Sequence, residues 1–380
     1  MNRFLSSLAV AIALAGQPAV AQSWDTGHWT ASWGAAPVGA PTDAGLHTFS
    51  NQTLRLVVQS SIGGNRVRIR LSNELGSTPL RIGAARIGLR AQGSDVAPGT
   101  DRALTFGGRP SVTIPAGAPA LSDPVELHLP PLAQVAVSLY LPGNVQVATL
   151  SQARQAGYVS PGGDHTASAS LPVQRTIATR PFLTALEVDS MNGAIVVLGD
   201  ALTDGVRSPA SRLAVVNRSI GGNRLLSDDP ARPLAGRSAL ARFERDVLAT
   251  SGVRHVVLQV GIEDIGNSSA ANPVTLEDMV AGYRQLIARA RAARIAVIGT
   301  TLAPFEGAAF YSVEKETLRQ AVNAWIRSSG EFDAVFDADR VLRDPARPSR
   351  LLPAHDSGDH LHPNERGVQA LGEAMPLLRR

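Results

Sequence analysis

The first part of the chain has short alternations of apolar and polar residues that are typical of antiparallel β-strands. Between residues 24 and 170 such runs recur, separated by turns that contain glycine or proline. Residues 54–58 and 67–71 are the clearest pair, and the Gly-Gly-Asn turn at residues 63–65 predicts that they form a hairpin. Several short strands bounded by turns predict a β-sandwich-like domain.

The pattern changes after a polar stretch at residues 160–168. Continuous apolar runs, which are typical of strands buried on both faces, now alternate with amphipathic helical segments. The predicted strands cover residues 194–198, 213–216, 255–260, 295–298 and 334–336, and the predicted helices cover residues 238–250, 276–293, 312–328 and 365–378. This alternation predicts an α/β fold with a five-stranded doubly wound parallel sheet.

The two patterns divide the chain into a β-sandwich-like domain at residues 22–185 and an α/β domain at residues 186–380. Residues 1–21 have the features of a secretory signal peptide: Arg3, a short apolar run, and a small-residue cleavage site that ends at Ala21. No later apolar run reaches the roughly 18 residues of a membrane-spanning helix. We therefore expect a soluble mature protein that is secreted or periplasmic.

Composition narrows the possible partners and chemistry. The 380 residues include 36 basic and 32 acidic ones, and the formal net charge is +4. Arginines are interspersed with acidic residues, and Lys315 is the only lysine, so the sequence does not predict nucleic-acid binding. The absence of cysteine excludes disulfides, thiolate metal sites and cysteine nucleophiles.

Small and polar residues follow the predicted strands, at the sheet edge where doubly wound folds bind ligands. The four blocks are GDALTDG (199–205), NRSIGGNR (217–224), VGIEDIG (260–266) and DHLHPN (359–364). In this order they resemble the SGNH (GDSL) hydrolases, a family of esterases, lipases and deacetylases with a flavodoxin-like three-layer α/β/α fold. The resemblance covers about residues 190–378. The β-rich half also resembles the domain that precedes this fold in a secreted bacterial subgroup, at residues 29–37 and 51–73.

The resemblance assigns a role to five positions. The family's nucleophile falls on Ala201, its oxyanion-hole glycine on Gly222 and its oxyanion-hole asparagine on Glu263. Its catalytic aspartate and histidine fall on Asp359 and His362. The family normally has Gly-Asp-Ser in the first block and Gly-x-Asn-Asp in the third, so two of the five positions depart from its pattern. The link at residues 199–212 is also shorter than usual and has little room for a helix.

These departures affect the chemistry directly. Acyl transfer needs a nucleophile, a base and donors that face the developing oxyanion, but Ala201 has only a methyl group and Glu263 offers acceptors. Thr203, Ser208 or a water activated by His362 could act instead. A single Ser-to-Ala change would account for Ala201, but not for Glu263 or the short link. We expect an ester hydrolase whose activity is lost or strongly reduced, or alternatively a non-catalytic protein that binds a glycan or an ester.

Other features have ordinary structural interpretations beside functional ones. His355, Asp356 and His360 join the Asp359–His362 block in a group that could be a metal cluster, but a solvated loop is the favoured interpretation. The tryptophans at positions 24, 29 and 33 are interpreted as packing residues rather than a sugar platform. We expect no metal or cofactor, and a small-molecule or polysaccharide ester as the partner. The sequence does not indicate an oligomeric state.

The signal-peptide interpretation predicts the mature N-terminus. Cleavage after Ala21 should leave Gln22, or a close neighbour, as the first residue of the exported protein. Mass spectrometry of the purified protein measures this directly. An intact Met1 on soluble cytoplasmic protein would contradict the interpretation.

Overall fold

The structure is a computed structural model that describes residues 27–39, 48–200 and 213–375. The predicted signal peptide, Ala201, Thr203 and Ser208 lie outside the described residues, as does most of the link at residues 199–212.

The N-terminal part is built from β-strands in two main antiparallel sheets. Its strands are β1 (Trp29–Gly34), β2 (Val38–Gly39), β3 (Thr48–Gln59), β4 (Gly64–Ser72), β5 (Leu80–Ile82), β6 (Ala84–Leu89), β7 (Arg102–Leu104), β8 (Val112–Ile114), β9 (Pro119–Leu121), β10 (Val125–Leu129), β11 (Gln134–Gln146), β12 (Thr149–Gly162), β13 (Arg175–Pro181) and β14 (Leu183–Asp189). One sheet has the order β1-β14-β4-β10, with β9 beside β4. The other has the order β13-β12-β3-β11-β6-β7, with β2 beside β12. The predicted sandwich-like arrangement is confirmed, because side chains of both sheets share one core.

The predicted hairpin is wrong. β3 pairs with β11 and β12, whereas β4 pairs with β14, β10 and β9, so the turn at residues 60–63 leads from one sheet to the other. Alternation indicates which side chains are buried, but it does not identify the neighbouring strand. Leu56 and Ile69 are both fully buried and reach the same core from opposite sheets. Because both strands bury apolar side chains in this core, a connection between the two sheets is as favourable as a hairpin within one sheet.

The C-terminal part contains the predicted five-stranded parallel sheet. Its strands are β15 (Ala194–Gly199), β16 (Ala214–Asn217), β17 (Val253–Gln259), β18 (Ala296–Thr300) and β19 (Ala334–Phe336). Their order is β16-β15-β17-β18-β19 and all neighbours are parallel. A short antiparallel pair, β20 (Arg343–Asp344) and β21 (Arg347–Leu351), follows.

Helices cover both faces of this sheet. They are α1 (Ala239–Phe243), which continues as a π-helical turn (Glu244–Leu248), α2 (Ile262–Gly266), α3 (Leu276–Ala292), α4 (Val313–Ser328), α5 (Ala338–Leu342) and α6 (Glu365–Ala374). Val196 and Leu258 belong to the core that contains Met279 of α3, while Ile195 and Val257 pack in a second cluster with Leu342 and Leu371 of α5 and α6. The three-layer α/β/α fold is therefore confirmed. α6 ends before the predicted residue 378, because Met375 already has extended backbone.

The two parts of the chain meet along the edge of the parallel sheet. β1 lies beside β16, and the hydroxyl of Ser61 accepts a hydrogen bond from the Val215 amide at 3.1 Å. The Ala31 amide donates to the Ser251 carbonyl oxygen at 2.9 Å, and one apolar core runs through both parts. The proposed boundary at residue 185 falls within β14. Within the described ranges, none of the helices is both long enough and apolar enough to span a bilayer.

The contact between Ser61 and the edge strand can be tested by mutation. Ser61→Ala removes the acceptor of the part-buried Val215 amide and the donor to the Ser32 carbonyl oxygen. Leaving a buried donor unsatisfied costs about 1–3 kcal/mol, which is the upper limit for this part-buried amide. We expect a lower urea midpoint for this variant than for the matched Ser328→Ala, whose hydroxyl bonds only to its own helix at Ala324. Equal midpoints in the two variants would show that the Ser61 contact does not stabilise the junction.

Candidate active site

A buried arginine joins the carboxyl ends of β15 and β16, where the first two sequence blocks lie. Arg242 of α1 donates to the carbonyl oxygens of Gly199 at 3.1 Å and Arg218 at 2.6 Å. It also donates to Asn223 Oδ1 at 2.9 and 3.1 Å, and it forms an ion pair with Asp246 at 2.9 Å. Both members of the pair are inaccessible to solvent. Because a buried cation without partners is very costly, these contacts restrict where the end of β15 and the loop after β16 can lie.

Gly222 lies in a tight turn directly after β16. Its φ is +77°, a backbone conformation that favours glycine, and the Asn223 amide donates to the Ile220 carbonyl oxygen at 3.1 Å. The Asn223 side chain donates to the carbonyl oxygens of Ala235 and Arg237 at 2.7 and 2.8 Å. Among the residues that the structure describes, none accepts a hydrogen bond from the Gly222 amide. This amide is therefore available to a ligand oxygen.

Glu263 is held by two neighbours and does not act as a donor. Its carboxylate accepts from Asn267 Nδ2 at 3.0 Å and from Arg232 Nη2 at 3.4 Å, and its side chain is only 8% exposed. Arg232 also donates from Nε to Asp229 at 2.6 Å. The sequence alone suggested an unpaired negative charge at this position. Instead, an arginine that sequence analysis did not single out compensates it.

The next residue, Asp264, connects the third block to the loop after β16. Its carboxylate accepts hydrogen bonds from the amides of Leu225 and Leu226 at 2.6 and 2.9 Å. Burial raises the pKa of Asp264 to about 6, although these two hydrogen bonds act in the opposite direction. Asp264 and Asn267 also line a groove of about 470 Å³ between this loop and α3. The second and third blocks therefore form one structural unit.

Asp359 and His362 form the pair that the fourth block predicts. His362 Nδ1 lies 2.6 Å from Asp359 Oδ2, and the amides of Leu361 and His362 donate to Oδ1 at 3.0 and 2.8 Å. The Ser357 hydroxyl donates to the same oxygen at 2.9 Å. Partial burial alone would raise the pKa of Asp359, but these hydrogen bonds outweigh it and hold the pKa well below its usual range. An ionised aspartate on Nδ1 leaves Nε2 of His362 to exchange protons with a substrate or water.

A second, similar pair lies in the same loop. His360 Nδ1 is 2.6 Å from Asp356 Oδ2, and the amides of Gly358 and His360 donate to Asp356 Oδ1. His360 has a φ of +61°, which is unusual for a residue with a side chain, and its ring lies against the backbone of Gly307. Each histidine thus has its own aspartate. In the described part of the chain, no group of three or more His, Cys, Asp or Glu residues is placed to hold a metal ion.

The structure brings some of the assigned positions together but leaves others apart or undescribed. Arg232 connects the Gly222 turn to Glu263. The Asp359–His362 loop adjoins the loop after β18 through the contact of His360 with Gly307. Among the described residues, neither Asp359 nor His362 bonds to Gly222 or Glu263.

Arg232 and Arg242 had no recognisable signal in the sequence. Arg232 lies in a loop and Arg242 in an amphipathic helix, and both are outside the four blocks. Each contacts a residue that is distant along the chain. Arginine is frequent in this chain, so residue type alone does not distinguish these two.

Residues 197–370 match the model of the GDSL-like Lipase/Acylhydrolase family. The matched residues include four of the five strands of the parallel sheet in full and the carboxyl end of β15. The C-terminal part therefore has the fold of an SGNH hydrolase domain, as the four blocks implied. The resemblance of this GDSL-like domain to acylhydrolases and esterases is supported by the same match.

Similar solved structures include two bacterial proteins. A GDSL-like lipase from Bacteroides thetaiotaomicron is 19% identical, and the match covers 48% of this chain and 85% of that chain with a TM-score of 0.38. A variant of an acetyl xylan esterase from Geobacillus stearothermophilus is 20% identical, with 49% and 94% covered and a TM-score of 0.35. No curated protein matches the chain.

The role of Arg242 predicts a large loss of stability. Arg242→Met leaves three buried acceptors without their donor and removes one partner of a buried ion pair, which costs about 3–5 kcal/mol. The matched control Arg284→Met breaks a pair with Glu331 in which the arginine side chain is 56% exposed, so it should cost far less stability. Urea unfolding of both variants measures the difference. If the two losses were similar, Arg242 would not be the residue that holds the strand ends.

Proposed function

We propose that the chain is an exported SGNH-type protein whose ester hydrolysis is lost or strongly reduced. The observation that carries this proposal is the fixed carboxylate of Glu263, held by Asn267 and Arg232 at the position where the family has an oxyanion-binding asparagine. In the sequence, Ala201 also stands where the family has its serine nucleophile. A carboxylate offers only acceptors, so it cannot stabilise the negative oxygen of a tetrahedral intermediate.

Part of the machinery remains consistent with ester chemistry. The Asp359–His362 pair has the geometry of an oriented base, and the Gly222 amide is available as a donor. Without a nucleophilic side chain, the base would have to activate water directly. Binding and residual donors alone give about 10³–10⁴ over the uncatalysed rate when the triad of a serine protease is removed. We propose that any remaining turnover of small-molecule or polysaccharide esters lies within this range.

A non-catalytic binding function is the second candidate. It is favoured by the same geometry, because Arg242 bonds to Asn223 beside the Gly222 turn, and Asp264 of α2 bonds to the loop that follows this turn. These contacts remain although the assigned nucleophile is absent. A cleft that keeps its shape can bind an ester or a glycan without transforming it.

Ester turnover by revertants tests the proposal. The mature chain should hydrolyse short-chain aryl esters poorly. It should not be labelled by fluorophosphonate probes, because Ala201, which directly follows Asp200, has no hydroxyl group. Ala201→Ser alone should add little, since Glu263 still opposes the oxyanion. Adding Glu263→Asn should give a larger, non-additive gain, because residues that act as a unit do not contribute independently.

Two histidine variants serve as a matched pair in this assay. His362→Ala should abolish the gain of the double revertant, whereas His360→Ala, in the second Asp–His pair of the same loop, should not. Robust hydrolysis by the unmodified chain that His362→Ala abolishes would overturn the proposal. It would indicate Thr203, Ser208 or an activated water as the attacking group.

A further inference from the structure

Two hydrogen-bond donors near the Gly222 turn, the Gly222 amide and Nη1 of Arg232, have no acceptor among the described residues. Arg232 uses Nε for Asp229 and Nη2 for Glu263, and no described residue accepts from its Nη1. Nη1 lies 3.4 Å from the position that a Cβ on Gly222 would occupy. The Gly222 amide likewise has no acceptor among the described residues. The arginine side chain is 43% exposed, so a ligand from solvent can reach it.

Both carboxylates that contact Arg232 are paired with arginine side chains. Arg224 and Arg232 carry two positive charges, and Asp229 and Glu263 carry two negative ones. Arg224 Nη2 and Arg232 Nε contact the same oxygen of Asp229, at 2.9 and 2.6 Å, so the charges are directly paired. These four charges therefore cancel one another. An unused N–H face of a guanidinium next to a backbone amide is a suitable site for a carboxylate, because charge-assisted hydrogen bonds are short and strong.

We propose that Arg232 Nη1 and the Gly222 amide form a binding site for a carboxylate group. This proposal gives the chemical class of the ligand. It rests on the proposed function in one respect, namely that ligands bind between the Gly222 turn and Glu263. No bond is made or broken in the step, since the carboxylate binds as an anion. The position of a Cβ on Gly222 would be in van der Waals contact with Arg232 Nη1, so the guanidinium lies next to the Gly222 backbone.

A carboxylate could come from two sources, and simple probes distinguish them. Butyrate represents the acid half of an acyl ester, and glucuronate represents an acidic sugar of a glycan. Butyramide has nearly the same shape as butyrate but no charge, so it isolates the contribution of the anion. Tighter binding of butyrate would indicate an acyl acid, and tighter binding of glucuronate would indicate an acidic glycan. Either result supports the carboxylate site.

Ligand-observed NMR with the full mature chain measures the three affinities. We expect millimolar binding of one of the two acids and weaker binding of butyramide. Arg232→Gln should weaken binding of the acid about tenfold, as loss of one charge-assisted hydrogen bond predicts, and should leave butyramide unchanged. The matched control Arg237→Gln changes an arginine that is 60% exposed and pairs with Asp228, so it should bind like the unmodified chain.

A second measurement on the unmodified chain does not depend on how Arg232→Gln folds. The Gly222 amide resonance should shift during titration with the bound acid, and it should shift less at the same concentration of butyramide. No binding of either acid, an unshifted Gly222 resonance, or equal loss in the Arg232 and Arg237 variants would overturn the inference. None of these experiments uses an ester, so they are distinct from the hydrolysis assay that tests the proposed function.

Discussion

The structure depends above all on the burial of one guanidinium group. Arg242 lies wholly inside the C-terminal part, where its donors reach the strand-end carbonyls of β15 and the loop after β16, together with Asn223 and Asp246. A buried cation is tolerated only if nearly all of its donors are satisfied. This requirement fixes the end of β15 and the loop after β16 relative to each other, and that loop carries the Gly222 turn.

The same cluster connects the α/β part to the β-rich part. Asp246 also pairs with Arg245, which donates to the Pro37 carbonyl oxygen, and Arg218 donates to the carbonyl oxygens of Ala35 and Thr184. Burial lowers the pKa of Arg218 to about 10, which is still far above neutral pH, so the group remains charged. The N-terminal sheets therefore contribute to the position of the candidate site, although none of the four blocks lies in them.

The candidate site around Gly222 and Glu263 has not simply lost catalytic groups. Replacing an asparagine by Glu263 places a carboxylate where a donor is needed, but Arg232 and Asn267 compensate that carboxylate. The result is a cluster of paired charges in which Nη1 of Arg232 has no acceptor among the described residues. Such a cluster is better suited to binding an anionic ligand than to stabilising an oxyanion that forms during catalysis. Reversion of Glu263 alone would consequently also change the surroundings of Arg232.

The sequence by itself determined the element types and the class of the C-terminal fold, because continuous apolar runs and amphipathic periodicity depend only on local residue order. It also located the Asp359–His362 pair, whose members are close in the chain. It failed for the β3–β4 hairpin, since burial alternation does not specify which strand is the neighbour. Only the tertiary structure decided the partner of Glu263 and the contacts of Arg242 with Gly199. Those pairs are 31 and 43 residues apart, and a side chain's hydrogen bonds across such separations depend on packing that no local pattern encodes.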